Sequence, residues 1–96
     1  MSFDKRLRSI IKSENVSQKV FAEEVGVSVR AIEKYVSGER VPTGNVLMKI
    51  VSHERYIKYT MWLLTGGTEE DSDQVSPKLS IQEKCGLVSD DSEKQT

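Results

Sequence analysis

A compact, all-α domain is what this sequence predicts, and three observations carry that expectation. Apolar residues recur at three- and four-residue spacing along the first two-thirds of the chain, as they do in helices that bury one face. Ser, Asn, Gly and Pro interrupt that pattern at short intervals, so the helices are brief and closely connected. With 96 residues, 36% of them apolar and 30% charged, there is material for one modest core under a charged surface rather than for two domains. Five helices are expected over residues 1–66, and an acidic, partly disordered tail over 67–96.

The first helix is expected over residues 3–14, where Phe3, Leu7, Ile10 and Ile11 share a face. Asn15-Val16-Ser17 breaks it, and Ser17 is placed to cap the next helix. From Gln18 to Val25, the residues Phe21, Ala22 and Val25 repeat the helical spacing, and Gly26 stops it. Ser28 is the cap of a third helix whose inner side is Ala31, Ile32, Tyr35 and Val36. Residues 37–42 form a loop closed by Pro42, which disfavours helix just before it. Thr43 to about His53 is the fourth helix, with Leu47, Ile50 and Val51 turned inward. A short fifth runs from near Ile57 to Thr65, contributes Trp62, Leu63 and Leu64, and ends at Gly66-Gly67. Beyond it, residues 68–76 have the composition of a linker. Residues 77–88 are compatible with a strand or a single helical turn, and the last eight residues are expected to be mobile.

The net charge of −1 conceals an uneven distribution. Residues 1–66 hold 11 Lys/Arg against 7 Asp/Glu, a balance of +4, whereas residues 67–96 hold 3 Lys against 8 Asp/Glu, a balance of −5. An acidic tail thus masks a basic domain. The single cysteine, Cys85, allows no intrachain disulfide and fits a reducing compartment. No run is long enough to span a bilayer and no signal peptide is evident, so no membrane association and a cytoplasmic location are expected.

The segment from Gln18 to Ser37 carries the functional information. Two helices joined by a tight turn, meeting at a steep angle, make restrictive demands. The turn needs a residue tolerant of left-handed backbone, and Gly26 supplies it. Four residues earlier, where the helices pass closest, stands the small Ala22. Six residues after the glycine, the compact apolar Ile32 is placed to wedge between them. Phe21, Val25, Val27 and Tyr35 fill the other inward positions.

This segment resembles the helix-turn-helix of the Cro and lambda-repressor-like family. The likeness extends through Gly-Glu-Arg-Val-Pro (38–42) and Met-Trp-Leu-Leu-Thr-Gly (61–66), covering roughly residues 3–66. Two departures are a Val36-Ser37 pair where many members carry a Glu, and the lack of the glutamine pair that several phage repressors use to read adenine. The resemblance implies a lambda-repressor-like domain whose third helix enters the major groove of double-stranded DNA. Its outward residues, Val29, Arg30, Glu33, Lys34 and Ser37, would then face the bases. Arg30 suits a bidentate contact with guanine, Lys34 the same less precisely or else a phosphate, Glu33 a cytosine amino group, and Val29 a thymine methyl. Ser17, Gln18, Lys19, Ser28, Arg40 and Thr43 are expected at the sugar-phosphate backbone, Gln18 because it matches a phosphate-holding position of the family. For each of these the competing reading is a helix cap or a solvated surface residue.

The resemblance further implies a homodimer on a palindromic operator, in a transcriptional repressor that occludes a promoter. Tyr56, Tyr59, Met61 and residues 77–88 are dimer candidates, the tyrosines alternatively being scattered surface aromatics. A partner-binding role of the antitoxin type, with the tail engaging a second protein, is the alternative function. Catalysis is not expected. His53 has no metal-ligand companions, Cys85 has no nearby histidine, Gly66-Gly67 lacks the following lysine of a phosphate loop, and the acidic run 69–73 lacks the spacing of a calcium loop. Neither metal nor cofactor is expected.

Overall fold

A computed structural model describes residues 3–87 of the protein. Those residues fold into six α-helices: α1 (Phe3–Ser13), α2 (Gln18–Val25), α3 (Val29–Ser37), α4 (Gly44–Val51), α5 (Thr60–Thr65) and α6 (Leu79–Lys84). A 3-10 turn, Ile57–Tyr59, leads directly into α5. There is no strand among the described residues, so the all-α expectation is met.

Local chemistry sets most of the boundaries. Ser17, Ser28 and Thr43 all have extended backbone and accept a hydrogen bond from the third amide of the helix that follows, at Val20, Ala31 and Val46. Each such cap contributes about 1 kcal/mol to its helix. Gly26 ends α2 with φ of +76°, a conformation that costs a residue with a Cβ about 1–2 kcal/mol.

The core is the meeting place of the inner helical faces. Leu7 and Ile10 of α1, Phe21 of α2, Ile32 of α3, Ile50 of α4 and Leu63 of α5 are almost entirely buried. α1 is central, packing against α3, α5 and α6. Two inward expectations need correction. Leu64 is exposed, because in a six-residue helix Trp62 and Leu63 already occupy the inner side and the next residue turns away. Leu47 is only half-buried.

Tyr56 and Tyr59 also depart from expectation, since neither is a surface aromatic. They are 1% and 4% exposed, which removes both from the free surface on which a partner would be bound. The Tyr56 ring meets Phe21 edge to face, with centroids 4.7 Å apart. Its hydroxyl donates to Glu24, and the Tyr59 hydroxyl donates to Glu14 at 2.7 Å. Arg55 spans both carboxylates, reaching Glu14 at 3.0 Å and Glu24 at 2.7 Å, and also donates to the Glu14 carbonyl. Lys58 adds a second cation 3.2 Å from Glu14. This polar clamp joins the C-terminal ends of α1 and α2 to the chain between α4 and α5.

The described part of the acidic tail runs back along the domain. The Val75 amide donates to the Lys58 carbonyl, and the Gln74 side chain bridges the Met61 amide and the Ile57 carbonyl. α6 then lies against α1 and buries Cys85 to 2% exposure. Of the two conformations open to the 77–88 stretch, the helical one is adopted at Leu79–Lys84. Val88 of that stretch, and the last eight residues, which were expected to be mobile, lie outside the described residues.

Candidate nucleic-acid interface

Everything about α3 follows from how it is held. At the turn after α2, the amides of Gly26 and Val27 both donate to the Ala22 carbonyl, at 2.9 and 3.0 Å. That closure turns the chain sharply and presses Ile32, Tyr35 and Val36 into the core beside Phe21, Ala22 and Val25. Ser28 caps the entry to α3. At the exit, Arg8 of α1 donates to the Val36 carbonyl at 3.1 Å, and the Glu39 and Arg40 amides both donate to the Lys34 carbonyl. Support thus reaches α3 from its inner face and its two ends, and its outer face is left to solvent.

On that outer face, two adjoining shallow concavities gather the expected residues. One is lined by Arg30, Glu33, Lys34, Ser37 and Glu39. The other is lined by Ser28, Arg30, Ala31, Lys34 and Arg40. Four of the five expected base-contacting residues, together with Ser28 and Arg40, are thereby brought into one neighbourhood. Val29 is exposed in the first turn of α3 but lines neither concavity. Ser17, Gln18, Lys19 and Thr43 stand apart from both, at the starts of α2 and α4, where Ser17 and Thr43 act as caps.

Side-chain commitments differ across this face. Among the described residues, Arg30 and Glu33 form no side-chain hydrogen bond or ion pair, so their groups are available to a ligand. The Ser37 hydroxyl is already engaged, donating to the Lys34 carbonyl and accepting from the Glu39 amide. Lys34 forms an ion pair with Glu39 at 3.7 Å. Glu39 and Arg8 escape sequence reasoning. The first is five positions beyond Lys34, and only the left-handed turn at Gly38 (φ +85°) folds it back onto the same concavity. The second supports α3 across 28 positions of sequence, with no local signal to mark it.

The arrangement offers a helix face with two cations, Arg30 and Lys34, a third, Arg40, beside them on the loop, and two carboxylates, Glu33 and Glu39, interleaved. Such a surface makes charge-assisted and bidentate hydrogen bonds, but it holds no nucleophile paired with a base. Among the described residues, no helix is long and apolar enough to cross a membrane.

Comparison with known proteins agrees with this geometry. Residues 7–53 match the family described as helix-turn-helix. The chain is also similar to the repressor protein C of Escherichia phage P2, at 32% identity over 69 residues, which cover 72% of this chain and 70% of that protein.

Proposed function

From the chain's membership of the helix-turn-helix family, to which it belongs as a protein of the phage-repressor type, we propose that it is a sequence-specific repressor of transcription. It binds a palindromic operator in double-stranded DNA as a homodimer and occludes a promoter, acting in the cytoplasm and without catalysis. The observation that carries this reading is the outer face of α3, where Arg30 and Lys34 line one surface with Arg40 beside them.

In this mechanism α3 lies in the major groove with its N-terminal end toward the bases. Arg30, with no partner of its own, donates two parallel hydrogen bonds to guanine O6 and N7, discriminating by about 1–3 kcal/mol. Lys34, Glu33, Val29 and Ser37 read neighbouring positions. Ser17, Gln18, Lys19, Ser28, Arg40 and Thr43 fix the register through the phosphates, which carry no sequence information themselves. The dimer follows from the small footprint of one such domain, because two copies must engage half-sites about one helical turn, roughly 34–36 Å, apart. An apolar surface supports it. Val51, Ile57 and Met61 line a shallow depression, and Ile57 is 50% exposed with Met48, one turn before Val51, 64% exposed. Docking of α6 on α1 favours assigning the described tail to this domain rather than to a second protein.

The test is selection of bound sequences from a random duplex library, followed by titration of the selected duplex at several salt concentrations with wild type and Arg30→Ala. An enriched palindrome, affinity that falls steeply with salt, and relaxed base preference in Arg30→Ala are expected. Enrichment of no site at low salt would remove the repressor reading.

A further inference from the structure

The interface contains a carboxylate that a DNA-binding surface does not need for affinity. Glu39 lines the same concavity as Arg30 and Lys34, its side chain is 64% exposed, and it sits 3.7 Å from the Lys34 ammonium. It is no accident of a loose loop. The Glu39 amide donates to the Lys34 carbonyl at 3.0 Å and to the Ser37 hydroxyl at 3.3 Å, so its backbone is fastened to the end of α3. An exposed pair of this kind contributes little to stability, and its cost to DNA binding is plain. A like charge about 6 Å away in water-like surroundings weakens a phosphate contact roughly threefold.

We propose that Glu39 is a positioning residue that sets specificity, holding Lys34 toward base edges and against phosphates. The inference rests on the DNA-binding reading above. An ammonium has three donors and no acceptor. At 3.7 Å the pair with Glu39 is an ion pair beyond hydrogen-bond distance, so Lys34 keeps its donors for the O6 or N7 of a guanine, both uncharged acceptors. A phosphate oxygen approaching the same ammonium meets the carboxylate's negative charge. Glu39 therefore taxes the contact that every DNA sequence offers and spares the one that only the operator offers. Discrimination achieved by penalising the wrong partner is a general route to specificity.

The experiment uses the full chain with the selected duplex and a random-sequence duplex of equal length, across a series of KCl concentrations. Wild type, Glu39→Gln, Lys34→Ala and the double variant are compared. Glu39→Gln is expected to tighten binding to random DNA roughly three- to tenfold and to the selected duplex less than about twofold. Its salt slope on random DNA should steepen by about 0.9, the value for one further neutralised phosphate. Both effects should vanish in the Lys34→Ala background. Equal tightening on the two duplexes, no change on random DNA, or an undiminished effect without Lys34 would each overturn the proposal. A wild type that prefers no duplex would instead bring down the DNA-binding reading itself, and this inference with it.

Discussion

Replacing Gly26 and Gly44 by alanine, one at a time, should move stability in opposite directions, although an added Cβ meets nothing within 4 Å at either position. Steric crowding is thus absent from both, and only the backbone distinguishes them. Gly26 ends α2 at φ +76°, where a Cβ costs about 1–2 kcal/mol. The stiffer unfolded chain of the alanine variant returns about 0.4–1 kcal/mol, leaving a net loss near 1 kcal/mol. Gly44 opens α4 without positive φ, so the same entropy effect there is a gain of about 0.4–1 kcal/mol. At about 4–8 °C per kcal/mol for a domain of this size, the two variants should melt on opposite sides of wild type. The fluorescence of the single tryptophan, Trp62, which is 4% exposed, and far-UV circular dichroism should report coincident transitions. Urea slopes should be unchanged if only stability moves. A Gly26→Ala protein as stable as wild type, or two variants shifted in the same direction, would refute the claim that the left-handed turn alone demands glycine.

The polar clamp predicts limits at both ends of the pH scale. Burial pushes the Glu14 carboxyl up, but the Tyr59, Arg55 and Lys58 contacts together hold it below its ordinary 4.5, and the Tyr56 hydroxyl and Arg55 hold Glu24 low as well. Their stabilisation is present above pH 4.5 and is lost as pH falls through the lower native values, so the acid limb of a melting-temperature profile should flatten in Glu14→Gln. Burial and the bond to Glu14 push Tyr59 up to about 12 from 10.0. Its contribution is complete below pH 10 and lost as pH rises toward 12. Tyr59→Phe should cost about 1 kcal/mol near neutrality and shift the alkaline midpoint in a urea series, and an unchanged midpoint would show that Tyr59 does not control it. Ile32→Ala should destabilise by about 2–5 kcal/mol and weaken DNA binding only as far as the folded fraction falls. Ser28→Ala should lose about 1 kcal/mol with its cap, and a much larger loss of affinity for DNA than of stability would assign the hydroxyl to a phosphate.

The helix-turn-helix was legible because its determinants are local. Ser17, Ala22, Gly26, Ser28 and Ile32 act within a few positions of one another, each through a rule that residue type and spacing express. The clamp was not legible, because Glu14, Glu24, Arg55 and Lys58 look like any solvated charges until the fold joins residues 31 to 45 positions apart. The same holds for Tyr56 and Tyr59. α6 lacks a side-chain cap, and what holds it in place is the surface of α1, which no local pattern announces. On the outer face of α3, sequence spacing identified the residues that share a surface, while their differing engagement, with Arg30 free and Ser37 committed, had to come from structure.

On α3 the residues that support the helix are separate from those on its outer face, and that has a consequence for descent. Arg30 and Glu33 hold up nothing in the protein, and the caps, the Arg8 bond to Val36 and the buried Ile32, Tyr35 and Val36 hold the helix without them. Mutations at the two outward positions can therefore accumulate almost neutrally with respect to folding, since surface changes away from such supports typically stay within about ±0.5 kcal/mol. If α3 reads bases as proposed, related chains drift to new target sites by exchanging a few outward letters on an unchanged frame. Closely similar domains would then share a shape long after they had ceased to answer to the same sequence.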